Sequence, residues 1–505
     1  MTTTNQPAGR DEPKSTPRLL TAPLVVVAAV ALVARFFQPS PIWGREAVEA
    51  NLGAEPLGQL LQSLRHAGGP PLWIVMIHGW QSLVGDGDAA LRALPAMITV
   101  ATVGVLWRLG DELGGSRLAR DLALVAALSP ALLRYGSDAG PAAMVVLLVA
   151  VGALALVRSL SSPSLRRLTA LGLVTSALLW THYWTAPLLA GTAVAVLIGR
   201  RGRSGAARAA ASRALLAMAL GVAGFLPWAP TLLFQLRHAG TPWGDRVRPA
   251  TILVGTVTEL NGGTNLLVFL TIPLVAIGLF GARQVGSVVQ LDLRGRPDSL
   301  GAASSLAFAL VASAALVLVA GTAFVASYAS GLLVAYVVLV GLGLSRLEGR
   351  ARAVALVALL AIAASALITT FRDERSQARS AIEAIAAAAP QGALVVACPD
   401  EVGPSLHRGA TEQISVLRYT DLKPAEGVDW VGHDARIRRV DPAVIATTVR
   451  TRAAGRPVFV AVGRSYRGNS VCNALVGRLG GGRIILEAQV GDFQELIRVY
   501  EMPKS

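Results

Sequence analysis

Apolar runs of about 17 to 22 residues, long enough to cross a bilayer core, recur along this chain between short polar connections. They fall near 19–36, 91–107, 119–134, 140–157, 168–184, 186–199, 214–233, 264–282, 304–323, 329–345 and 353–370, about eleven segments in all. One connection breaks the rhythm. Residues 37–90 form a long polar block between the first and second runs, and long ordered loops are more often functional than decorative. Within it Val48, Leu52, Leu57, Leu60, Leu61 and Leu64 predict short amphipathic helices lying on the membrane interface. Pro70-Pro71 interrupts them, and residues 72–83 predict another such helix with Trp73 and Trp80 at headgroup level.

After Phe371 the periodicity changes. Residues 372–389 read as a linking helix, and ALVVA (393–397), ISVLRY (414–419), PVFVAV (457–462), RIILEAQV (483–490) and ELIRVYE (495–501) read as strands. Helices are expected at 441–453 and 468–479. The division this predicts is a polar tail (1–18), a membrane domain (19–371), the linking helix (372–389) and a small α/β domain (390–505). No glycine-rich phosphate loop follows any of the strands; GRLGGG at 477–482 lacks the spacing.

Composition agrees with a polytopic membrane protein. Hydrophobic residues make up 53% of the chain, and the mean hydropathy is +0.54, too apolar for an ordinary soluble domain. The net charge of +15 does not point to nucleic acid, because the arginines gather in short connections. Arg158, Arg166 and Arg167 form one group; Arg200, Arg201, Arg203, Arg208 and Arg213 a second; Arg346, Arg350 and Arg352 a third. By the positive-inside rule these connections and the N-terminus face the cytoplasm, and an odd number of crossings puts everything after Phe371 outside the cytoplasmic membrane. The two cysteines, Cys398 and Cys472, fit either buried thiols or a disulfide in an oxidising compartment, and spacing does not decide their pairing.

Sorting the connections by side gathers the reactive groups on one face. The outer turns hold Glu46, Glu49 and His78 in the long block, Asp138 after the third run, and His182 and Tyr183 after the fifth. They also hold Gln235, Arg237 and Trp243 after the seventh, and Tyr328 after the ninth. The run interiors are nearly free of ionisable groups, unlike those of ion-coupled transporters. A site at the outer membrane surface fits better than a pathway through it.

Several stretches carry a family likeness, in order, over roughly residues 19–345. Trp43-Gly-Arg-Glu46 stands where an acidic first-loop motif occurs, and GGPPLWIVMIHGWQSLVGDGDAALRALPA (68–96) contains a Pro-Pro-aromatic segment leading to an Arg-Leu-Pro step. LSPALLRYGSDAGPAAM (128–144), THYW (181–184) and FLPWAPTLLFQLR (225–237) follow. In these the chain resembles the bacterial GT-C glycosyltransferases of the dolichyl-phosphate-mannose mannosyltransferase type. It departs from their pattern at three places: Arg45-Glu46 where the family has Asp-Glu, Asp138-Ala139-Gly140 for Glu-Ala-Arg, and Ser327-Tyr328 for Arg-Tyr.

The resemblance implies a GT-C-like helical membrane domain and an inverting, mannosyltransferase-like sugar transfer. The implied donor is a polyprenyl-phosphate sugar and the acceptor an envelope glycan, lipid or protein. Membrane lipids are further partners; nucleic acid is not. The resemblance leaves a divalent metal open: two acids could hold one, and the family does not uniformly need it. Such a transfer needs a base for the acceptor hydroxyl and positive or hydrogen-bonding groups around the departing phosphate. Glu46 is the expected base, with Asp138 orienting the acceptor or a metal; the plainer readings are a solvated loop acid and a helix N-cap. His182, Tyr183, Arg237, Trp243, Tyr328 and His78 are the expected substrate contacts. Against this stand an aromatic belt for His182 and Tyr183, headgroup anchoring for Arg237, an interfacial position for Trp243 and a structural role for His78. A flippase for lipid-linked sugars and an inactive glycolipid-binding scaffold are the competing functions, and Arg45 keeps the scaffold open.

Overall fold

The computed structural model describes residues 18–238, 248–263, 265–280, 282–285, 288–291, 297–320, 324–372, 374–466, 468–487 and 494–503. The first apolar run is helix α1 (Arg18–Ala34), and the polar block that follows folds into α2 (Gly44–Gly53), α3 (Leu57–His66) and α4 (Leu72–Val84). Next come α5 (Asp88–Ala127), α6 (Pro130–Gly136), α7 (Ala142–Ser161), α8 (Leu165–Thr181), α9 (Ala186–Arg201), α10 (Gly205–Ala223) and α11 (Ala229–His238). Then follow α12 (Pro249–Leu260), α13 (Asn265–Phe280), a ribbon of β1 (Ala282–Val285) and β2 (Val288–Leu291), α14 (Pro297–Ala320), α15 (Leu333–Arg346) and α16 (Gly349–Arg372).

The predicted runs fall on helices, although 119–134 continues from α5 into α6 and 214–233 continues from α10 into α11. The second and third runs share α5, which bends back on itself at Gly114 and Gly115, where Gly115 takes a φ of 73° that a side chain would oppose. Gly110 allows the return: a Cβ there would lie 2.6 Å from the Ala119 Cα. Among the described residues six helices are long and apolar enough to cross a membrane by themselves, or up to seven if the bent pair α12–α13 is one crossing. The chain is thus a multi-pass helical membrane protein. Charges near the ends of the bundle are paired. Asp121 accepts from Arg352 at 2.5 and 3.0 Å, and Glu259 accepts from Arg134 and Tyr135, both at 3.1 Å.

The first-loop helices pack on one another and on the bundle. Trp73, expected among headgroups, is only 2% exposed; its indole is held by Glu49 at 2.7 Å. Trp80 likewise donates to the Ala90 carbonyl at 2.7 Å.

Beyond Arg372, α17 (Ala378–Ala388) leads into a five-stranded sheet of β3 (Ala393–Cys398), β4 (Ile414–Arg418), β5 (Val458–Gly463), β6 (Arg483–Leu486) and β7 (Ile497–Glu501). Its order is β4-β3-β5-β7-β6; β3 runs parallel to both neighbours, and β7 is antiparallel to β5 and β6. All of β3 is buried, as a strand covered on both faces must be. Val395, Ala397, Phe459 and Val499 pack on one side, and Val396, Val460 and Val462 on the other. A disulfide joins Cys398 to Cys472.

Candidate active site

The site is organised from α2. Glu46, at the third position of that helix, reaches back to its start, where its Oε2 accepts the Trp43 N–H at 3.3 Å. Arg92, at the head of α5, donates from Nε to Oε1 at 2.9 Å and from Nη2 to Oε2 at 2.6 Å. The Ala139 N–H takes Oε1 at 2.7 Å. A carboxylate has about four lone-pair sites, and here all are filled. Glu46 is 0% exposed. The residue expected as the base thus ties the loop to the α6–α7 turn.

The carboxylate next to Ala139 belongs to Asp138. Its Oδ1 accepts the Trp43 indole N–H at 3.1 Å, and its Oδ2 accepts Arg45 Nη2. It does not cap α7, whose N-cap is Pro141. Burial alone would raise the Asp138 pKa, but Arg45, then Arg375 and the Trp43 bond, hold it below the ordinary carboxylate value. Arg45 is held above its usual value: burial opposes the charge, and Asp138, Glu49 and Glu46 outweigh it. Gly140 makes room for this guanidinium, since a Cβ there would lie 3.1 Å from Arg45 Nη2 and 3.3 Å from Asp138 Oδ2.

Three further groups face the pair. Glu49, one turn after Arg45 on α2, is pushed up to about 8 by burial, against the opposing pull of Arg45. His182, the residue after α8, is pushed down to about 4 by burial and then by Arg45, so it is neutral at pH 7. Its ring lies 5.3 Å from that of Tyr328, which stacks on Trp184 at 5.6 Å. Arg45 interacts electrostatically with Tyr328 as well. Loop, α6–α7 turn, α8 end and α15 entry therefore meet at one place.

The remaining expected contacts stay outside this cluster. The Tyr183 hydroxyl donates to Gln235 Oε1 at 2.6 Å and accepts from the Trp228 indole at 2.8 Å. Gln235 in turn donates to the Leu64 carbonyl at 3.0 Å, so Tyr183 braces α11 against the first loop. His78 Nδ1 bonds the Gly53 carbonyl at 2.8 Å and tethers α4 to α2. Arg237 is exposed on the last turn of α11, and no contact among the described residues joins it to the cluster. Trp243 lies outside the described residues. No group of three or more His, Cys, Asp and Glu among the described residues is arranged to hold a metal ion. Sequence reasoning missed Arg92, Arg375, Trp43 and Trp73. Arg92 left two signals, its place in the Arg-Leu-Pro step of the 68–96 segment and its position as a lone cation near the start of an apolar run, which is costly unless paired.

The C-terminal domain closes over the loop. Arg375 Nη1 and Nη2 donate to the Ser137 carbonyl and hydroxyl, both at 2.7 Å, and its backbone N–H donates to Ser40 Oγ at 2.7 Å. Asn51 Nδ2 donates to the Glu426 carbonyl at 2.7 Å, and the Trp430 N–H to the His66 carbonyl at 3.2 Å. Glu495 accepts the Gly44 N–H at the start of α2, with Ser376, Ser405 and Tyr466 as further donors. Gly44 permits this approach, because a Cβ there would lie 2.8 Å from Glu495 Oε1.

Burial raises Glu495 to about 7, well above the ordinary glutamate value. A carboxyl whose pKa is higher folded than unfolded gives stability that is complete below the unfolded value. That stability is lost as pH rises through the folded one. The domain's resistance to thermal unfolding is therefore expected to fall between pH 5 and pH 8 by on the order of 3 kcal/mol. The decline should flatten in Glu495→Gln; an unchanged slope in that variant would assign it to other groups.

Residues 68–230 match the dolichyl-phosphate-mannose-protein mannosyltransferase family. Two solved structures share the architecture: ArnT from Cupriavidus metallidurans bound to undecaprenyl phosphate and the same protein in the apo state. The first is 12% identical with a TM-score of 0.60, covering 95% of this chain and 98% of that one. The second is 14% identical with a TM-score of 0.60, covering 96% and 98%. The mycobacterial arabinofuranosyltransferase AftD is 14% identical at a TM-score of 0.48, with 97% of this chain and 42% of that one covered. A comparison with curated proteins finds no match. The chain is thus a multi-pass membrane protein with the ArnT fold, similar over residues 68–230 to that mannosyltransferase family.

Proposed function

We propose that the protein transfers a sugar from a polyprenyl-phosphate donor to a cell-envelope acceptor, with inversion at the anomeric carbon, at the outer face of the cytoplasmic membrane. The observation that carries this reading is the convergence of Arg45, Glu49, Asp138, His182 and Tyr328 at one end of the bundle. A partly exposed guanidinium whose Nε has no partner among the described residues suits a departing phosphate. Neutral His182 and Tyr328 offer hydrogen bonds and a ring face to a sugar. The ArnT structure was solved with undecaprenyl phosphate, which supports a lipid phosphate as leaving group.

Helix polarity supports the sidedness. α7 starts beside Asp138 and ends at the arginine connection, α8 returns to His182, and α9 runs back to Arg200 and Arg201. The arginines are thus at the far end from the site, as the positive-inside rule requires for an outer site. The Cys398–Cys472 disulfide, in the domain docked on the first loop, fits an oxidising compartment.

The test is sugar transfer by purified protein from a panel of labelled polyprenyl-phosphate sugars, mannosyl donors first, to envelope acceptors. Wild type is expected to release polyprenyl phosphate from one donor. Asp138→Asn is expected to lose about 10²-fold or more, since it removes the carboxylate that holds the Arg45 guanidinium in place. A protein that binds a lipid-linked sugar and never releases polyprenyl phosphate would be a scaffold instead.

A further inference from the structure

Three carboxylates converge on this site, and their hydrogen bonds distinguish them. Glu46 has all its lone pairs occupied. Asp138 has a donor on each oxygen, one of them a guanidinium. An acid so paired is a weak proton acceptor, because Brønsted behaviour rewards a pKa near the working pH. Glu49 differs. One oxygen, Oε2, accepts the Trp73 indole N–H at 2.7 Å, and Oε1 accepts no hydrogen bond among the described residues. It stands one turn from Arg45 on α2, a spacing that puts both side chains on one helix face.

Resting on the transferase reading above, we propose that Glu49 is the general base that takes the acceptor's hydroxyl proton. In the step it serves, the acceptor O–H proton moves to Glu49 Oε1 as the acceptor oxygen bonds the anomeric carbon. The bond from that carbon to the phosphate oxygen breaks with its electron pair, and polyprenyl phosphate leaves; Glu49 then returns its proton to water. Trp73, fully buried on α4, holds the carboxylate through Oε2 and leaves Oε1 uncommitted among the described residues. The charged groups facing Glu49 are Arg45 and Glu46 on its own helix and Asp138 on the α6–α7 turn. Burial dominates their sum and leaves Glu49 titrating at about 8, so its basic form grows through neutral pH.

This assignment also gives Arg45 a place. Arg45 stands where the resembling family has an acid, so the carboxylate function is not lost but moves one helical turn along α2. Arg45, paired with Asp138, is then left for the phosphate.

The experiment is kcat/KM against pH for wild type, Glu49→Gln, Glu49→Asp and Trp73→Phe, with donor binding measured separately on each. Wild type is expected to rise with pH and level off above about 8. Glu49→Gln should bind donor normally, fall about 10²- to 10⁴-fold and lose the inflection. Glu49→Asp should keep the inflection at a reduced rate. Trp73→Phe removes a bond that stabilises the ionised form, so its inflection should move to higher pH. A Glu49→Gln variant that transfers at the wild-type rate, or keeps the inflection, overturns the base and leaves the transferase standing. Absence of transfer by wild type from every donor overturns both.

Discussion

Replacing Arg92 with methionine is expected to destabilise the membrane domain by about 3–5 kcal/mol, the cost of stranding a buried charge. Arg92 and Glu46 are 2% and 0% exposed at their side chains. Without the guanidinium, the Glu46 carboxylate keeps only the Trp43 and Ala139 N–H groups. Arg92 also donates to the Ser40 carbonyl at 2.6 Å and the Pro41 carbonyl at 3.1 Å, so the chain entering α2 loses its anchor with the same change. Arg92→Lys should fall between, because an ammonium keeps the charge but cannot make the two-pronged contact. The comparison pair is Glu112–Arg158, exposed by 37% and 36% at their side chains, where Arg158→Met should cost less than about 1 kcal/mol. Detergent-solubilised unfolding of the variants decides the matter. An Arg92→Met protein as stable as Arg158→Met would mean that Glu46 finds other partners and does not fix the loop.

The helical framework was legible because a bilayer demands long apolar runs, and such runs stand out against any connection. The sheet was legible for a similar reason: 393–397, 414–419 and 457–462 are short β-branched runs bounded by turn residues, and they match β3, β4 and β5. Gathering of Asp138, His182 and Tyr328 followed from sorting turns by side. What stayed hidden was which groups spend their hydrogen bonds on one another. Glu46 and Glu49 look alike on α2; only the fold reveals that the first is saturated by Arg92 and the second half free. The docking of residues 375 and 495 on the first loop was equally hidden, since no pattern in sequence links Arg375 to Ser137 or Glu495 to Gly44. Headgroup-level Trp73 failed as an expectation because an indole N–H with a carboxylate partner is stable inside a protein.

The departures from the family pattern at 45 and 140 are expected to act as one exchange. Where the family has an acid in the first loop and an arginine in the turn, this chain has Arg45 in the loop and Gly140 in the turn. Arg45→Asp alone would set a new carboxylate beside Asp138 and Glu49 and remove the only guanidinium that bonds Asp138 among the described residues. Gly140→Arg alone would put a Cβ 3.1 Å from Arg45 Nη2 and bring a second cation against the first. Each single variant is therefore expected to lose transfer and weaken donor binding. In the double variant the clash is gone, since Asp is shorter than Arg, and the arginine approaches Asp138 from the turn. A double-mutant cycle on donor affinity and turnover should give a favourable coupling of about 1–3 kcal/mol, the range for residues sharing one ion pair. Additive losses would mean that the two positions drifted independently. Recovery in the double variant would mean that the site needs one guanidinium beside Asp138 and accepts it from either side.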